Sequence, residues 1–446
     1  MNIAIIGSGY VGLITGLCLS KQNNIVRCID LNTQIVENIN NGIPHFFEEG
    51  LNELLADELE AKRFKALSSL ENIDIEIELI IIAVGTPSDN SGDIDLSYIE
   101  EASKNIGKFI KKNKHHISIV IKSTVLPTTT DLFVRQILED ESSKKVGDFG
   151  LGMNPEFLRE GSAIKDFLYP DRVVIGWEDK KTKERLEKLY SPWDCEKIIV
   201  NSRTAELIKY TNNCFLALQI SASNEFANLA YKIGNIDIED VMSGLNLDKR
   251  WNPKKNGKRL NPGILNYLKS GCGFGGSCFP KDVKAIRNYG IKKGLKMEMA
   301  RSIININNRQ PAELVKIMEE IDNLEKLSIL ILGLSFKENT DDIRESPAIQ
   351  IIKQLRNKVK KIFAHDPMAI ENFTLVIPPQ KKLEYVKNWE NFVTRSDVIL
   401  VLNGWKNFKK LENFDLRKKY LIDPRRVFNK SINVKKYLTI GLNNKS

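Results

Sequence analysis

The chain of 446 residues lacks any apolar run long enough to cross a bilayer: its longest, such as 77–84, fall far short of the roughly 20 residues a membrane helix needs. Its amino terminus, MNIAIIGSG, lacks the basic stretch and small-residue cleavage site of a secretory signal. Membrane insertion and secretion are not expected, and a cytoplasmic location is. Cysteine is scarce. The six residues at 18, 28, 195, 214, 272 and 278 include no CxxC pair, which argues against a metal site and against a disulfide framework. Reduced thiols are expected, and one of them is available for chemistry. The formal charge of +9 comes from lysines scattered through KK doublets with no nucleic-acid-binding motif beside them. It fits a solvated surface and an anionic small-molecule substrate, not a nucleic-acid partner. With 42% hydrophobic and 28% charged residues, the chain can bury two or three ordinary cores.

What is present is a repeated alternation of strands and helices. Residues 2–6 (NIAII) are an apolar run, 7–12 a glycine-rich turn, 13–20 a stretch with helical spacing, and 25–29 a second strand ending at Asp30. Strand-like runs recur at 78–84, 118–121 and 149–153, the pattern of a doubly wound parallel sheet extending to about residue 200. Residues 204–233 contain neither proline nor glycine and keep apolar residues at helical spacing, so they read as one long linking helix. A second set of strands is expected at 326–332, 361–365, 397–402 and 420–422. There ILILGLSF parallels IAIIGSGY, IFAHD parallels VRCID, and DVILVLN parallels ELIIIAV. The expected fold is α/β: two Rossmann-like doubly wound parallel sheets, the second incomplete, joined by a long central helix and a helical middle domain. The divisions fall at 1–200, 201–310 and 311–446, with no low-complexity linker between them.

Gly7, Gly9 and Gly12 follow a strand and open a helix, with Asp30 at the end of the next strand. Glycines there permit a tight turn and close approach of a pyrophosphate, while the carboxylate accepts hydrogen bonds from the adenosine ribose. Ordinary turns also use glycine, but strand, helix and acid are all in place, and an acid at residue 30 favours NAD over NADP. Cys278 follows the glycine-rich stretch 273–276 and precedes Lys281 and Asp282, so it is the best nucleophile candidate. The other five thiols read better as small buried hydrophobes. Lys209 and Asn213 are four residues apart on the long helix, with Glu206 a turn earlier, and share one face. A solvated helical face is the plain alternative. Glu156 and Glu160 follow Asn154-Pro155 at a strand end, where parallel sheets present ligands, although an acid such as Glu156 also suits a helix cap.

Taken together, GSGYVGL (7–13), VGTP (84–87), STV (123–125), NPEFLREG (154–161), AELIKYTNN (205–213), GFGGSCFPKD (273–282) and GLSFKENTDDIRES (333–346) resemble the UDP-glucose/GDP-mannose dehydrogenase family. They do so in order along nearly the whole chain. The form of GFGGSCFPKD is similar to the UDP-glucose branch. The UDP-N-acetylhexosamine branch has a histidine where this chain has Ser277. The resemblance implies oxidation of a sugar-nucleotide CH–OH at C6 to a carboxylate by two hydride transfers to NAD. Asp282 with Lys209 deprotonates the alcohol, Cys278 forms a thiohemiacetal and then a thioester, and Glu160 with Thr124 positions the hydrolytic water. Asn213 and Lys209 stabilise the oxyanion. It further implies cofactor contacts from Tyr10, Val11, Thr86, Thr124, Glu160, Lys281 and Arg344. Substrate contacts come from Glu156, Phe157, Leu158, Lys209, Asn213, Phe274, Gly275 and Lys337. A homodimer or higher homo-oligomer formed through the long helix is implied as well, with a product used in surface polysaccharide synthesis.

Two positions depart from the family pattern. A basic residue commonly stands five beyond the ribose acid, where this chain has Ile35. An Arg-Ile-Gly segment usually precedes the glycine-rich turn. By spacing Pro262 falls there, and the stretch 249–260 looks like an insertion that could supply Arg250 or Arg259 instead. Oxidation of another sugar nucleotide such as GDP-mannose, and a catalytically silent nucleotide-binding protein, remain the alternatives.

Overall fold

A computed structural model of the chain describes residues 1–89 and 91–443. The chain forms two compact units, residues 1–212 and 213–446, and the boundary falls inside one long helix, Ser202–Ile233.

In the first unit, β1 (Asn2–Ile6), β2 (Ile25–Ile29), β3 (Phe64–Leu67), β4 (Leu79–Ile82), β5 (Ser118–Ile121), β6 (Gly150–Met153), β7 (Arg172–Trp177) and β8 (Glu196–Val200) build one sheet in the order β3-β2-β1-β4-β5-β6-β7-β8. Alternate residues feed opposite cores. Ile3, Ile5, Leu79 and Ile81 join one cluster, while Ala4, Ile80 and Ile82 join the other. A strand buried on both faces must be apolar throughout, which is why IAII and LIII are uninterrupted. Pairing is parallel except between β6 and β7, which run antiparallel, so the expectation of a wholly parallel sheet is corrected there. The connection, residues 154–171, carries one short helix, Ala163–Leu168, and returns the chain antiparallel to β6.

In the second unit, β9 (Lys254–Lys255) and β10 (Lys258–Arg259) form a small antiparallel hairpin. A six-stranded parallel sheet follows, made of β11 (Ser328–Leu332), β12 (Lys361–His365), β13 (Leu383–Tyr385), β14 (Val398–Val401), β15 (Tyr420–Ile422) and β16 (Lys436–Leu438). Its order is β13-β12-β11-β14-β15-β16. That is the complete doubly wound arrangement, not the incomplete one expected. The two edge strands are three residues each, too short to carry a legible pattern. Ile329 and Ile331 pack into one core and Leu330 and Leu332 into the other, repeating the division seen in the first unit.

Three helices carry candidate site residues: α1 (Tyr10–Lys21), α2 (Ser202–Ile233) and α3 (Phe279–Lys292). Among the described residues no helix is long and apolar enough to cross a membrane.

Candidate functional site

The glycine turn between β1 and α1 is shaped by close backbone approach. Gly7 has φ +98°, and a Cβ there would meet the Ala83 carbonyl oxygen at 2.9 Å; one on Gly12 would meet the Gly7 carbonyl oxygen at 1.9 Å. A Cβ on Gly9 would meet nothing within 4 Å, so the backbone is open there. Gly9 caps α1 without a side-chain hydrogen bond, leaving the first N–H groups and the positive end of the helix dipole for an anion. Asp30 sits at the end of β2. Its Oδ2 accepts from the Ser8 amide at 2.9 Å and the Ser8 hydroxyl at 2.6 Å, and its Oδ1 from the Asn32 amide at 3.0 Å. Gly7, Gly9, Asp30, Asn32 and Val84 line one cavity of about 1090 Å³. An open glycine, an uncapped helix and a carboxylate on one cavity fit a dinucleotide. Tyr10 and Val11 pack half-buried against the core, as does Ile35, whose apolar side chain accounts for the missing cation. Thr86 and Thr124 meet at the ends of β4 and β5, where the Thr86 hydroxyl donates to the Thr124 carbonyl at 3.0 Å.

Beyond β6, the loop from Asn154 to Gly161 carries the expected acids. Glu156 is buried, its Oε1 accepting from Lys209 Nζ at 2.8 Å and its Oε2 from the Leu158 amide at 2.6 Å. Burial pushes this carboxyl up, but the Lys209 ammonium, with the Leu158 amide and Lys122, holds it below its ordinary value. The helix-cap alternative for Glu156 fails, because the acid closes a turn instead. Lys209 is 3% exposed, which removes the solvated-face alternative. The Phe157 ring carries the Arg172 guanidinium at 3.9 Å and the Lys209 ammonium at 5.4 Å.

One cation of this cluster is not marked by any motif. Lys122 is buried and donates to Asn154 Oδ1 at 2.9 Å, an oxygen that also accepts from the Tyr190 hydroxyl at 2.6 Å. Burial pushes its amine down to about 8 against the opposing pull of Glu156. Its position beside STV was the only signal in the sequence. Glu160 lies half-buried at the end of the loop, just before Gly161 at φ +80°.

In the second unit, the turn before α3 is built from left-handed glycines, Gly273 at φ +94° and Gly276 at φ +83°. A Cβ on Gly275 would strike the Glu345 carbonyl oxygen at 2.4 Å, and the Gly276 amide donates to the Arg344 carbonyl at 2.8 Å. The Phe274 amide and carbonyl are held by the Asn307 side chain. This places Cys278, half-buried, at the head of α3 with Pro280 in the first turn. The helix dipole favours an anion at that end. By contrast, burial pushes the thiols of Cys18, Cys214 and Cys272 up to about 12, and that of Cys28 upward as well.

Asp282, one turn into α3, is fully buried. It accepts from Asn213 Nδ2 at 2.7 Å and from Lys281 Nζ at 2.7 Å. Lys281 is thus paired to the acid. Phe336 packs on Gly276, and Lys337 Nζ lies 5.4 Å from the centre of that ring, so the lysine stands beside the turn. The Arg344 side chain pairs with Asp342 at 2.8 Å. In the hairpin segment, Arg259 donates to the carbonyls of Asn252 and Leu247, and Arg250 pairs with Asp248. Both candidate substitutes for the altered arginine are engaged locally, and Pro262 stands immediately before the 3₁₀ turn Gly263–Leu268.

The first unit therefore gathers Gly7, Gly9 and Asp30 on one cavity, with Gly12 packed against the Gly7 carbonyl, Thr86 with Thr124, and Glu156, Phe157 and Leu158 with Lys209. The second gathers Phe274, Gly275, Cys278, Lys281, Asp282, Asn213 and Lys337.

The second sheet repeats the glycine and the acid of the first, but Ser335 stands where the first has the open Gly9. A Cβ on Gly333 would meet Asn403 Oδ1 at 2.4 Å. Asp366, 1% exposed, accepts from the amides of Leu334, Ser335, Met368 and Ala369, from the Ser335 hydroxyl and from Trp405 Nε1.

Residues 1–194 match the NAD-binding domain of the UDP-glucose/GDP-mannose dehydrogenase family, 203–309 its central domain and 330–430 its UDP-binding domain. The chain is 37% identical over 411 residues to a UDP-glucose 6-dehydrogenase of Bacillus subtilis, covering 92% of this chain and 89% of that protein. It is 37% identical over 453 residues to the UDP-glucose 6-dehydrogenase of Rickettsia prowazekii, covering 99% of each. The structure of a UDP-glucose dehydrogenase from Pyrobaculum islandicum superimposes with a TM-score of 0.89 at 34% identity, over 99% of this chain and 98% of that one. An open dinucleotide turn ending on an acid, matched by an NAD-binding domain, makes the chain an NAD-dependent oxidoreductase. It belongs to the UDP-glucose/GDP-mannose dehydrogenase family, as its motifs led one to expect.

Proposed function

We propose that the chain oxidises UDP-glucose at C6 to UDP-glucuronate through a thioester on Cys278. The observation that supports this best is the set around Cys278: a half-buried thiol at a helix head, one turn from a buried aspartate held by Asn213 and Lys281. NAD, bound twice in succession, takes up the two hydrides. Asp282 with Lys209 draws the proton from the C6 hydroxyl as the first hydride leaves, giving the aldehyde. The Cys278 thiolate adds to the aldehyde carbon, and the thiohemiacetal loses the second hydride and its hydroxyl proton to become a thioester. Water positioned by Glu160 and Thr124 adds to the acyl carbon, and the C–S bond breaks to release the acid and restore the thiol. Lys209 and Asn213 stabilise the oxyanions. Tyr10, Val11, Thr86, Lys281 and Arg344 complete the cofactor contacts. Glu156, Phe157, Leu158, Phe274, Gly275 and Lys337 hold the sugar nucleotide.

Residues 1–200 bind the cofactor, 201–310 carry the catalytic cysteine and the oligomer contact, and 311–446 bind the nucleotide. The chain acts in the cytoplasm, and its product serves polysaccharide synthesis. It works as a homodimer or larger homo-oligomer, for which the exposed Phe226, Leu229 and Ile233 of α2 offer the apolar face. A monomer in sedimentation would contradict this.

Assay of NADH formation across UDP-glucose, GDP-mannose and UDP-N-acetylhexosamines tests the substrate. Two NADH per UDP-glucose consumed is expected, and activity confined to another nucleotide would transfer the same chemistry to that substrate. Cys278→Ser is expected to bind NAD normally and form no acid. Acid production at the normal rate would exclude the thioester, and an inactive parent chain would favour the silent nucleotide-binding reading.

A further inference from the structure

Glu48 lies between the helices Thr33–Asn40 and Leu51–Glu60 and is 4% exposed. Its carboxylate accepts three hydrogen bonds. Tyr10 Oη donates to Oε2 at 2.5 Å, the Gly161 amide to the same oxygen at 2.7 Å, and the Ala163 amide to Oε1 at 2.6 Å. The first donor belongs to the dinucleotide turn, and the other two to the residues immediately after Glu160. All three donors are neutral, and burying a carboxyl group in this way is costly unless each of these hydrogen bonds is well made. On the other side of Glu160, Asp166 holds the Arg159 amide at 2.9 Å, and it also accepts from the Ser162 hydroxyl at 3.2 Å. The backbone carrying Glu160 is therefore fixed on both flanks. Burial raises the Tyr10 hydroxyl well above its ordinary value, with further contributions from Glu48 and the Glu160 charge, so that hydroxyl keeps its proton and stands within electrostatic reach of Glu160.

We infer that Glu48 is a positioning residue that sets Glu160 relative to the dinucleotide turn, so that the cofactor cavity and the hydrolytic loop hold one geometry. The inference rests on the role proposed above for Glu160. In Glu48→Gln the amide nitrogen cannot accept, so at least one loop N–H or the Tyr10 hydroxyl loses its partner. Misplacement of a positioned group by about 1 Å costs on the order of 100-fold in rate. The step that suffers is hydrolysis of the thioester, after both hydrides have been transferred.

Glu48→Gln, Tyr10→Phe and Glu160→Gln are compared by stopped-flow NADH absorbance and by intact-protein mass spectrometry of chains quenched during turnover. Glu48→Gln is expected to release a burst approaching two NADH per chain, then turn over on the order of 100-fold more slowly with an acyl group on Cys278. Tyr10→Phe, which leaves both loop bonds in place, should move in the same direction by less and add nothing to Glu48→Gln in the double variant. It also serves if Glu48→Gln does not fold. A general loss of folding would lower the active fraction without accumulating acylated chain. If Glu160→Gln accumulates the acyl form while Glu48→Gln and Tyr10→Phe do not, the inference about Glu48 is overturned. If Glu160→Gln itself turns over normally, the role of Glu160 is wrong and the inference falls with it.

Discussion

A lysine that is 3% exposed, with its amine on Asn154, titrates in a range where surface lysines do not. Lys122 falls to about 8 in the folded chain from an ordinary 10.5. Below pH 8 both folded and unfolded chains carry its proton, and the folded chain bears the full cost of burying the ammonium. Between 8 and 10.5 the unfolded chain keeps the proton and the folded chain has released it, so stability from this group rises with pH. Denaturant titrations should therefore show the wild type gaining roughly 3 kcal/mol over Lys122→Met across that window. Parallel curves would mean that the amine is not burdened by burial. Residues of this kind are the least legible in a sequence. Lys209 and Glu156 are separated by 53 positions and Glu48 and Gly161 by 113, and no local pattern joins them. The setting of Cys278 was legible because its turn, helix start and neighbouring acid are consecutive in the chain.

At the scale of the element, the glycine turn separates two roles that look alike in the motif. Gly12→Ala drives a Cβ into the Gly7 carbonyl, and rigid backbone on both sides leaves little room to relax. A loss of about 3 kcal/mol or more is expected in thermal or denaturant unfolding. Gly9→Ala meets no atom and has φ −61°, so it should fold within about 1 kcal/mol of wild type while losing NAD affinity on the order of tenfold or more. NAD titration followed by fluorescence separates the two, and a Gly9→Ala chain binding NAD normally would mean that the cofactor does not approach that backbone. The buried strands β1, β2, β4, β5 and β6 were readable because both faces demand apolar residues, whereas β3, four residues with a lysine among them, and β7, which opens on an arginine and contains Gly176, were not legible as strands although mostly buried. β8, Glu196–Val200, was not, because its residues are exposed or half-exposed and charged ones are mixed in. The reversal of β7 was equally hidden, since direction is set by the connection and leaves no mark on the strand itself.

At the scale of the whole molecule, the echo between the two halves of the sequence corresponds to two sheets of the same strand order. What the echo could not convey is that the repeated positions have diverged in use. Asp30 faces a cavity, with its hydrogen bonds confined to its own turn and to Ser8. Asp366 stands at the matching place, 1% exposed with six donors already upon it, and Ser335 takes the place of the open Gly9. The symmetry of the strands is therefore not a symmetry of binding isotherms. Calorimetric titration with NAD should saturate at one equivalent per chain, and a second equivalent of comparable affinity would mean that the Asp366 network opens to admit it. A chain with two dinucleotide-type sheets would then count, thermodynamically, as a single-site receptor for its oxidant.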